Sequence, residues 1–323
     1  MLNKLTTLPA QKQFRADLLT WYEANKRDLP WRRNRVAYRV WVSEIMLQQT
    51  RVAAVLDHYR RFLKRFPTVK ALAHAPESDV LALWSGLGYY RRARFMHAAA
   101  KVVVSEHRGQ FPRTAEGLLQ LPGIGRYTAA AIASICFLEP VPVVDGNVLR
   151  VLDRLYGDPP KDPWITAAGL LEPENPGDFN QAMMELGALV CVPGEPQCLQ
   201  CPVRIHCKSQ GRTKAVAKRL RPKSKAIYYR FCMKDNHVLL QQRAADASLM
   251  PSMWELPQIK AKSVGNPALQ LRHSITDTNY EVSVVVGRAP RLLENHLWVA
   301  TNRVAQLPLT GLARKVLSRL DIL

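Results

Sequence analysis

Four cysteines crowd a run of seventeen residues: Cys191, Cys198, Cys201 and Cys207, spaced C-x6-C-x2-C-x5-C. Four thiolates held this close repel one another unless a cation gathers them, so the segment has to close around metal. Secreted disulfide scaffolds spread their cysteines through smaller chains, which sets that alternative aside. Tetrahedral zinc and a [4Fe–4S] cluster both take four thiolates. Zinc sites more often pair two CxxC knuckles, and only one is present, so the spacing leans towards iron–sulfur. Cys136 and Cys232 stand apart and read as reduced and buried.

Before the cysteines the pattern is helical. Phe14, Leu18, Leu19 and Tyr22 mark an amphipathic segment within residues 10–30, broken by Asp28-Leu-Pro-Trp31-Arg32. A second helix is expected over about Tyr38 to Phe66. Glu44 is the odd residue there, flanked at helical spacing by Val40, Trp41, Leu47 and Gln48. A carboxylate on such a face is costly unless it is paired or its pKa is raised. Gly86-Leu-Gly-Tyr-Tyr-Arg-Arg-Ala-Arg then ends one apolar helix and opens another. Its aromatic rings interleaved with arginines suit nucleic acid, and equally suit a solvated basic face.

Leu121-Pro-Gly-Ile-Gly-Arg-Tyr-Thr128 reads as a tight turn between helices, with Gly123 and Gly125 free to adopt positive φ or to let another backbone approach. The N–H groups at the start of the following helix suit a phosphate. Asp145 is placed to N-cap a helix whose apolar stripe is Val148, Leu149, Leu152 and Leu155. Capping suffices to explain it, and it also holds a carboxylate at a fixed position. Phe179 to Cys191 forms a further helix leading into the cysteines.

After them the period changes. Lys208 to Lys225 is a basic linker, and 226–323 carries strands expected at Ala226–Met233, Val238–Gln242, Tyr280–Val286 and His296–Ala300. Thr310 caps a closing helix. Lys+Arg 46 against Asp+Glu 26 leaves +20, which calls for a polyanionic partner, nucleic acid before an anionic membrane surface. No apolar run approaches the length of a spanning helix, and the first residues lack a signal-peptide pattern, so the expected setting is cytoplasmic, nucleoid-associated in a bacterium.

Taken together, the segments resemble the adenine DNA glycosylases of the MutY type, within the helix-hairpin-helix glycosylase superfamily that also contains endonuclease III. The most specific parts are Ser43-Glu44-Ile-Met-Leu-Gln-Gln-Thr50, the LPGIG turn followed by Asp145-Gly-Asn147, Phe179-Asn-Gln-Ala-Met-Met-Glu185 and the cysteine spacing. The resemblance implies a mainly α-helical catalytic domain over 1–207, with an iron–sulfur loop at 191–207. A basic linker at 208–225 and an α+β Nudix-like domain at 226–323 follow.

It also implies roles. Glu44 stands at the catalytic acid, Asp145 at the aspartate facing the deoxyribose, and Asn147 near the sugar or water. Tyr127 falls where bifunctional relatives carry a Schiff-base lysine, and tyrosine cannot form that imine. Trp31, Arg32 and Glu185 resemble the adenine pocket. Gln49 and Tyr89 resemble residues that invade the base stack, and Gln48, Thr50, Gly123, Gly125 and Arg126 fall among the DNA contacts. Cys191, Cys198, Cys201 and Cys207 would hold the [4Fe–4S] cluster. The implied partner of a monomer is double-stranded DNA carrying 8-oxoguanine:adenine or guanine:adenine.

Trp254-Glu-Leu-Pro257 matches the W-x-x-P element of the Nudix fold, without the clustered glutamates of its hydrolases. The family's oxidised-guanine loop often carries Phe-Ser-His. Here Leu271-Arg272-His273-Ser274 reads as that loop, with His273 and Ser274 offered as contacts. Competing expectations are an endonuclease III-like enzyme for oxidised pyrimidines and a non-enzymatic iron–sulfur DNA-binding protein.

Overall fold

The computed structural model describes residues 7–211, 223–260, 266–275 and 278–323. Contacts divide the chain into two units: Met1–Gln49 with Ala99–Ala217, and Thr50–Ala98 with Lys218–Leu323.

The first unit is helical. It contains α1 (Leu8–Asn25), α2 (Ala37–Leu47), α7 (Ala115–Leu119), α8 (Arg126–Phe137), α9 (Gly146–Tyr156), α10 (Pro163–Leu170) and α11 (Pro176–Leu189). Phe14, Leu18 and Tyr22 of α1 meet Val148, Val151, Leu152 and Leu155 of α9 and Phe179, Met183 and Leu186 of α11 in one core. The 3.6-residue spacing of each stripe brings these faces together. Gly187 lets α11 approach α9 closely: a Cβ there would lie 2.7 Å from the Asn147 Cβ.

The helix expected from Tyr38 to Phe66 is two helices. α2 stops at Leu47 and α3 (Val52–Arg65) begins five residues on. Between them Gln48 turns to ψ 115° and Gln49 to φ 55°, which no helix accommodates. The apolar pattern continues across the break, so periodicity alone could not show it.

The second unit holds α3, α4 (Val69–Ala73), α5 (Glu77–Trp84) and the start of α6 (Arg91–Ser105), together with the C-terminal sheets. One sheet is ordered β1-β6-β5, with β1 (Lys223–Phe231) parallel and β5 (Leu269–Ile275) antiparallel to β6 (Thr278–Val286). The other places β3 (His237–Gln242) between β2 (Met233–Lys234) and β4 (Trp254–Glu255), with β7 (His296–Ala300) also antiparallel to β3. Period-two alternation buries Tyr229 and Phe231, Val282 and Val284. They pack against Leu312, Val316 and Leu317 of α13 (Gly311–Arg319). α12 (Thr301–Val304) follows β7 directly, and Thr310 caps α13 through a 3.1 Å bond from the Ala313 N–H.

Two further expectations change. Leu271–Ser274 is not a loop but lies within β5, with His273 opposite Tyr280. The polar, charged residues read as a loop alternate across a strand instead. Cys136 is only half-buried, whereas Cys232 is buried, and both are free thiols. The basic linker falls at 212–222 outside the described residues, while Lys223 and Lys225 open β1. Among the described residues no helix is long and apolar enough to cross a membrane.

Candidate active site

Glu44 lies on the buried face of α2, 6% exposed, among Val40, Trp41 and Ile45. The Tyr127 hydroxyl, from the first turn of α8, donates to its Oε2 at 2.6 Å, with the Met184 sulfur 3.5 Å from the same hydroxyl. Burial pushes the Glu44 carboxyl up to about 7. The Tyr127 bond and Arg32 oppose that rise, while the Asp145 charge adds to it. Tyr127 is itself raised well above its ordinary value, by burial first and then by Glu44.

Asp145 caps α9 as its spacing suggested. Its Oδ1 accepts from the backbone N–H of Asn147 at 2.9 Å and of Val148 at 2.7 Å, and its Oδ2 accepts from Asn147 Nδ2 at 2.9 Å. Three donors fix the plane of the carboxylate. Arg150, one turn along α9, donates to Asn147 Oδ1 at 2.7 Å and also to the Gly187 and Cys191 carbonyls.

Glu185, on α11, is 1% exposed. Arg32 grips it with bonds of 2.9 and 3.1 Å, and Arg27 with side-chain bonds of 2.6 and 2.8 Å and a backbone bond of 3.0 Å. Burial would raise this carboxyl, but the two guanidiniums outweigh it and hold it down at about 2. Trp31 is buried beside Arg32 in a short 3-10 turn.

Around the turn at Leu121, Gly123 has φ 74° but Gly125 does not share it. Gly125 is extended at φ −92° as the residue before α8, with open space where a Cβ would stand. Arg126 lies 4.0 Å over the Trp164 ring, a cation–π contact within the unit. Gln48 donates to the Thr128 hydroxyl at 3.2 Å, and Gln49 is exposed.

The first unit therefore brings together Glu44, Tyr127, Asp145, Asn147, Arg32 and Glu185. Thr50, Tyr89, His273 and Ser274 belong to the second unit. There Arg92 donates to the Thr50 hydroxyl, and Ser274 bonds Asn279 at 2.6 Å. Burial and Lys315 lower the His273 imidazole below its usual range.

Cys191, Cys198, Cys201 and Cys207 line one cavity with Arg154 and Arg204. Arg154 Nη1 lies 3.4 Å from the Cys191 sulfur. Among the described residues no three His, Cys, Asp or Glu side chains gather as the donors of one metal ion. Four thiols lining one cavity beside Arg154 and Arg204 fit an anionic, thiolate-held metal group.

Sequence reasoning missed Arg27, Met184 and Arg154. Arg154 had a usable signal, since it stands four residues after Arg150 on the same face of α9. Arg27 had none, because nothing local distinguishes it from its basic neighbours.

Residues 42–173 match the model of the HhH-GPD superfamily of base excision DNA repair proteins. A thermostable thymine-DNA glycosylase superposes with a TM-score of 0.59 at 29% identity, covering 63% of this chain and 97% of its own. A trapped endonuclease III–DNA covalent intermediate shares the fold, with a TM-score of 0.55 at 22% identity over 63% of this chain and 97% of its own. The helical N-terminal part of the chain, α3 to α5 included, thus carries the HhH-GPD fold.

The adenine DNA glycosylase of Buchnera aphidicola subsp. Baizongia pistaciae is 36% identical over 313 residues, covering 90% of this chain and 87% of its own length. The chain belongs to the adenine DNA glycosylase family. The rat adenine DNA glycosylase is 52% identical over 216 residues, which is 62% of this chain and 42% of the relative. The match thus spans less than half the length of that relative.

Proposed function

We propose that the chain removes adenine from 8-oxoguanine:adenine or guanine:adenine pairs in double-stranded DNA, by hydrolysis of the N-glycosidic bond. The observation that carries this reading is the pairing of Glu44, a buried carboxyl near pKa 7, with the rigidly held Asp145. Two carboxyls with separated environments suit an acid and a charge stabiliser.

Tyr127 occupies Glu44 Oε2 as a donor, so a proton on Glu44 resides on Oε1 and is available to a ring nitrogen of adenine. Protonated adenine departs as the sugar gains oxocarbenium character. Asp145 stabilises or transiently captures that sugar, and water completes the hydrolysis with Asn147 beside it. The base must leave the stack to reach them. Tyr127, in place of an amine nucleophile, supports a monofunctional enzyme. Trp31, Arg32 and Glu185 form the pocket edge. Glu185, spent on two arginines, shapes that pocket rather than donating protons.

Cys191, Cys198, Cys201 and Cys207 would hold a [4Fe–4S] cluster. When bound, it would supply a covalent tie across the 191–207 loop. Gly123, Gly125 and the α8 N-terminus would receive the phosphate backbone. Gln48, Gln49 and Arg126 would contact DNA from the first unit, and Thr50 and Tyr89 from the second.

The C-terminal sheets support a Nudix-like, lesion-reading domain over 226–323, beyond a glycosylase domain of 1–207 and a linker of 208–225. Glu255 of its W-x-x-P element is engaged by Tyr229, Arg243 and Gln258, which supports recognition over pyrophosphate cleavage. His273 and Ser274 would act from a strand. The protein would work as a monomer in the cytoplasm.

The test is base release from duplexes containing 8-oxoguanine:adenine, guanine:adenine, guanine:thymine and thymine glycol. Adenine release from the first two is expected. Release of thymine or thymine glycol alone would replace the reading with a pyrimidine glycosylase, and binding without release would leave a DNA-binding protein.

A further inference from the structure

Tyr89 stands 44% exposed at φ 49°, a left-handed conformation that a residue with a bulky side chain rarely adopts. It closes a turn in which Gly86 has φ 106° and Gly88 φ 69°. Such backbone persists only where its surroundings over-determine it.

The surroundings are specific. On the inner side, Trp84 Nε1 donates to the Gly88 carbonyl at 3.0 Å, and Arg92 Nη2 to the Leu87 and Gly88 carbonyls at 3.2 Å. The two residues flanking the turn, Ser85 and Tyr90, both send their hydroxyls to one acceptor far along the chain. Ser85 Oγ lies 3.0 Å and the Tyr90 hydroxyl 2.9 Å from the Leu309 carbonyl. Arg314 Nε donates to Ser85 Oγ at 2.8 Å, which leaves that hydroxyl's own proton for Leu309. All of these groups lie in the second unit.

Leu309 is itself fully buried and fixed. It bridges Trp254 in parallel. The Trp254 N–H meets the Pro308 carbonyl, and the Thr310 N–H returns to the Trp254 carbonyl. One turn into α6, Arg94 donates to the Pro251 carbonyl at 2.6 Å, between Met250 and Ser252, which are also left-handed.

We propose that the Trp254–Leu309–Arg314 platform presets the Gly86–Tyr89 turn, so that Tyr90, Ser85 and Arg314 are positioning residues for Tyr89. The proposal rests on the reading that Tyr89 meets DNA. The C-terminal residues then act on the duplex without touching it, by holding the turn's two ends on one carbonyl and so paying its ordering cost before DNA arrives.

Two measurements on the full chain test this. The first is hydrogen exchange of the Gly86–Tyr89 amides without DNA. Tyr90→Phe, which keeps the ring, and Arg314→Met, which keeps the stem, should each speed exchange there about tenfold while α11 is unchanged. Unchanged exchange at the turn overturns the platform. The second is duplex affinity for an 8-oxoguanine:adenine pair in a double-mutant cycle. Tyr90→Phe should weaken binding several-fold in the native background and add nothing to Tyr89→Ala. A fully additive cycle overturns the positioning role. If Tyr89→Ala alone leaves affinity intact, the reading that Tyr89 meets DNA fails, and the exchange result still decides the platform.

Discussion

Glu44 is held between two influences that can be separated by substitution. In the proposed role its acid form delivers the proton, and burial places its pKa near 7, so single-turnover adenine release should fall as pH rises through about 7. Tyr127 lowers that pKa by donating to the carboxylate. Tyr127→Phe should therefore move the descending limb to higher pH; a limb that stays put would detach Tyr127 from the proton. Glu44→Gln should cost about 10²–10⁴-fold in release while duplex affinity holds. Normal turnover by that variant would remove Glu44 from the chemistry. The burial of Glu44 could be read from sequence because its helical neighbours are largely apolar. Arg27 could not, because its value comes from meeting Glu185 across 158 residues.

At the scale of elements, the approach of α11 to α9 decides where Asp145 and Asn147 stand. Gly187→Ala places a Cβ against Asn147, so the helices must part. We expect about 1–3 kcal/mol of lost stability from overpacking and roughly 10²-fold slower release from displaced groups. Unchanged kinetics at full occupancy would show that the α9 start has slack.

Glu185 ties the 3-10 turn to α11. Removing it as Glu185→Ala strands two arginines and should cost about 3–5 kcal/mol in denaturant unfolding. Because its folded pKa is depressed, this stabilisation is present above its unfolded value of 4.5 and is lost as pH falls towards about 2. Capping at Asp145 and Thr310 was legible because the cap residue and the stripe behind it are neighbours in sequence. The break at Gln49 and strand β5 were not, since a left-handed residue and a cross-strand partner leave no local hydrophobic mark.

For the whole molecule, a charge of +20 makes duplex affinity an ionic-strength measurement. Affinity should drop by orders of magnitude between about 50 and 200 mM salt, as counterion release requires. A flat dependence would deny the phosphate backbone its part. The sequence's change of period at about residue 226 lies close to Lys223, where β1 begins. It could not reveal that α3 to α5 share a unit with the sheets, because that grouping depends on contacts such as Tyr90 with Leu309.

Hydrogen bonds beside Asp145 run in one direction: Arg150 gives to Asn147 Oδ1, and Asn147 Nδ2 gives to Asp145 Oδ2. An amide at position 145 has no consistent orientation within that order. Turning its oxygen to the helix N–H groups sets its NH2 against Asn147 Nδ2. Flipping Asn147 to relieve that contact sets a second NH2 against Arg150. Asp145→Asn is therefore no silent isostere. It should unsettle α9 as well as the chemistry, and Asp145→Ser, which keeps a capping oxygen without the second one, is the cleaner probe of what the carboxylate does.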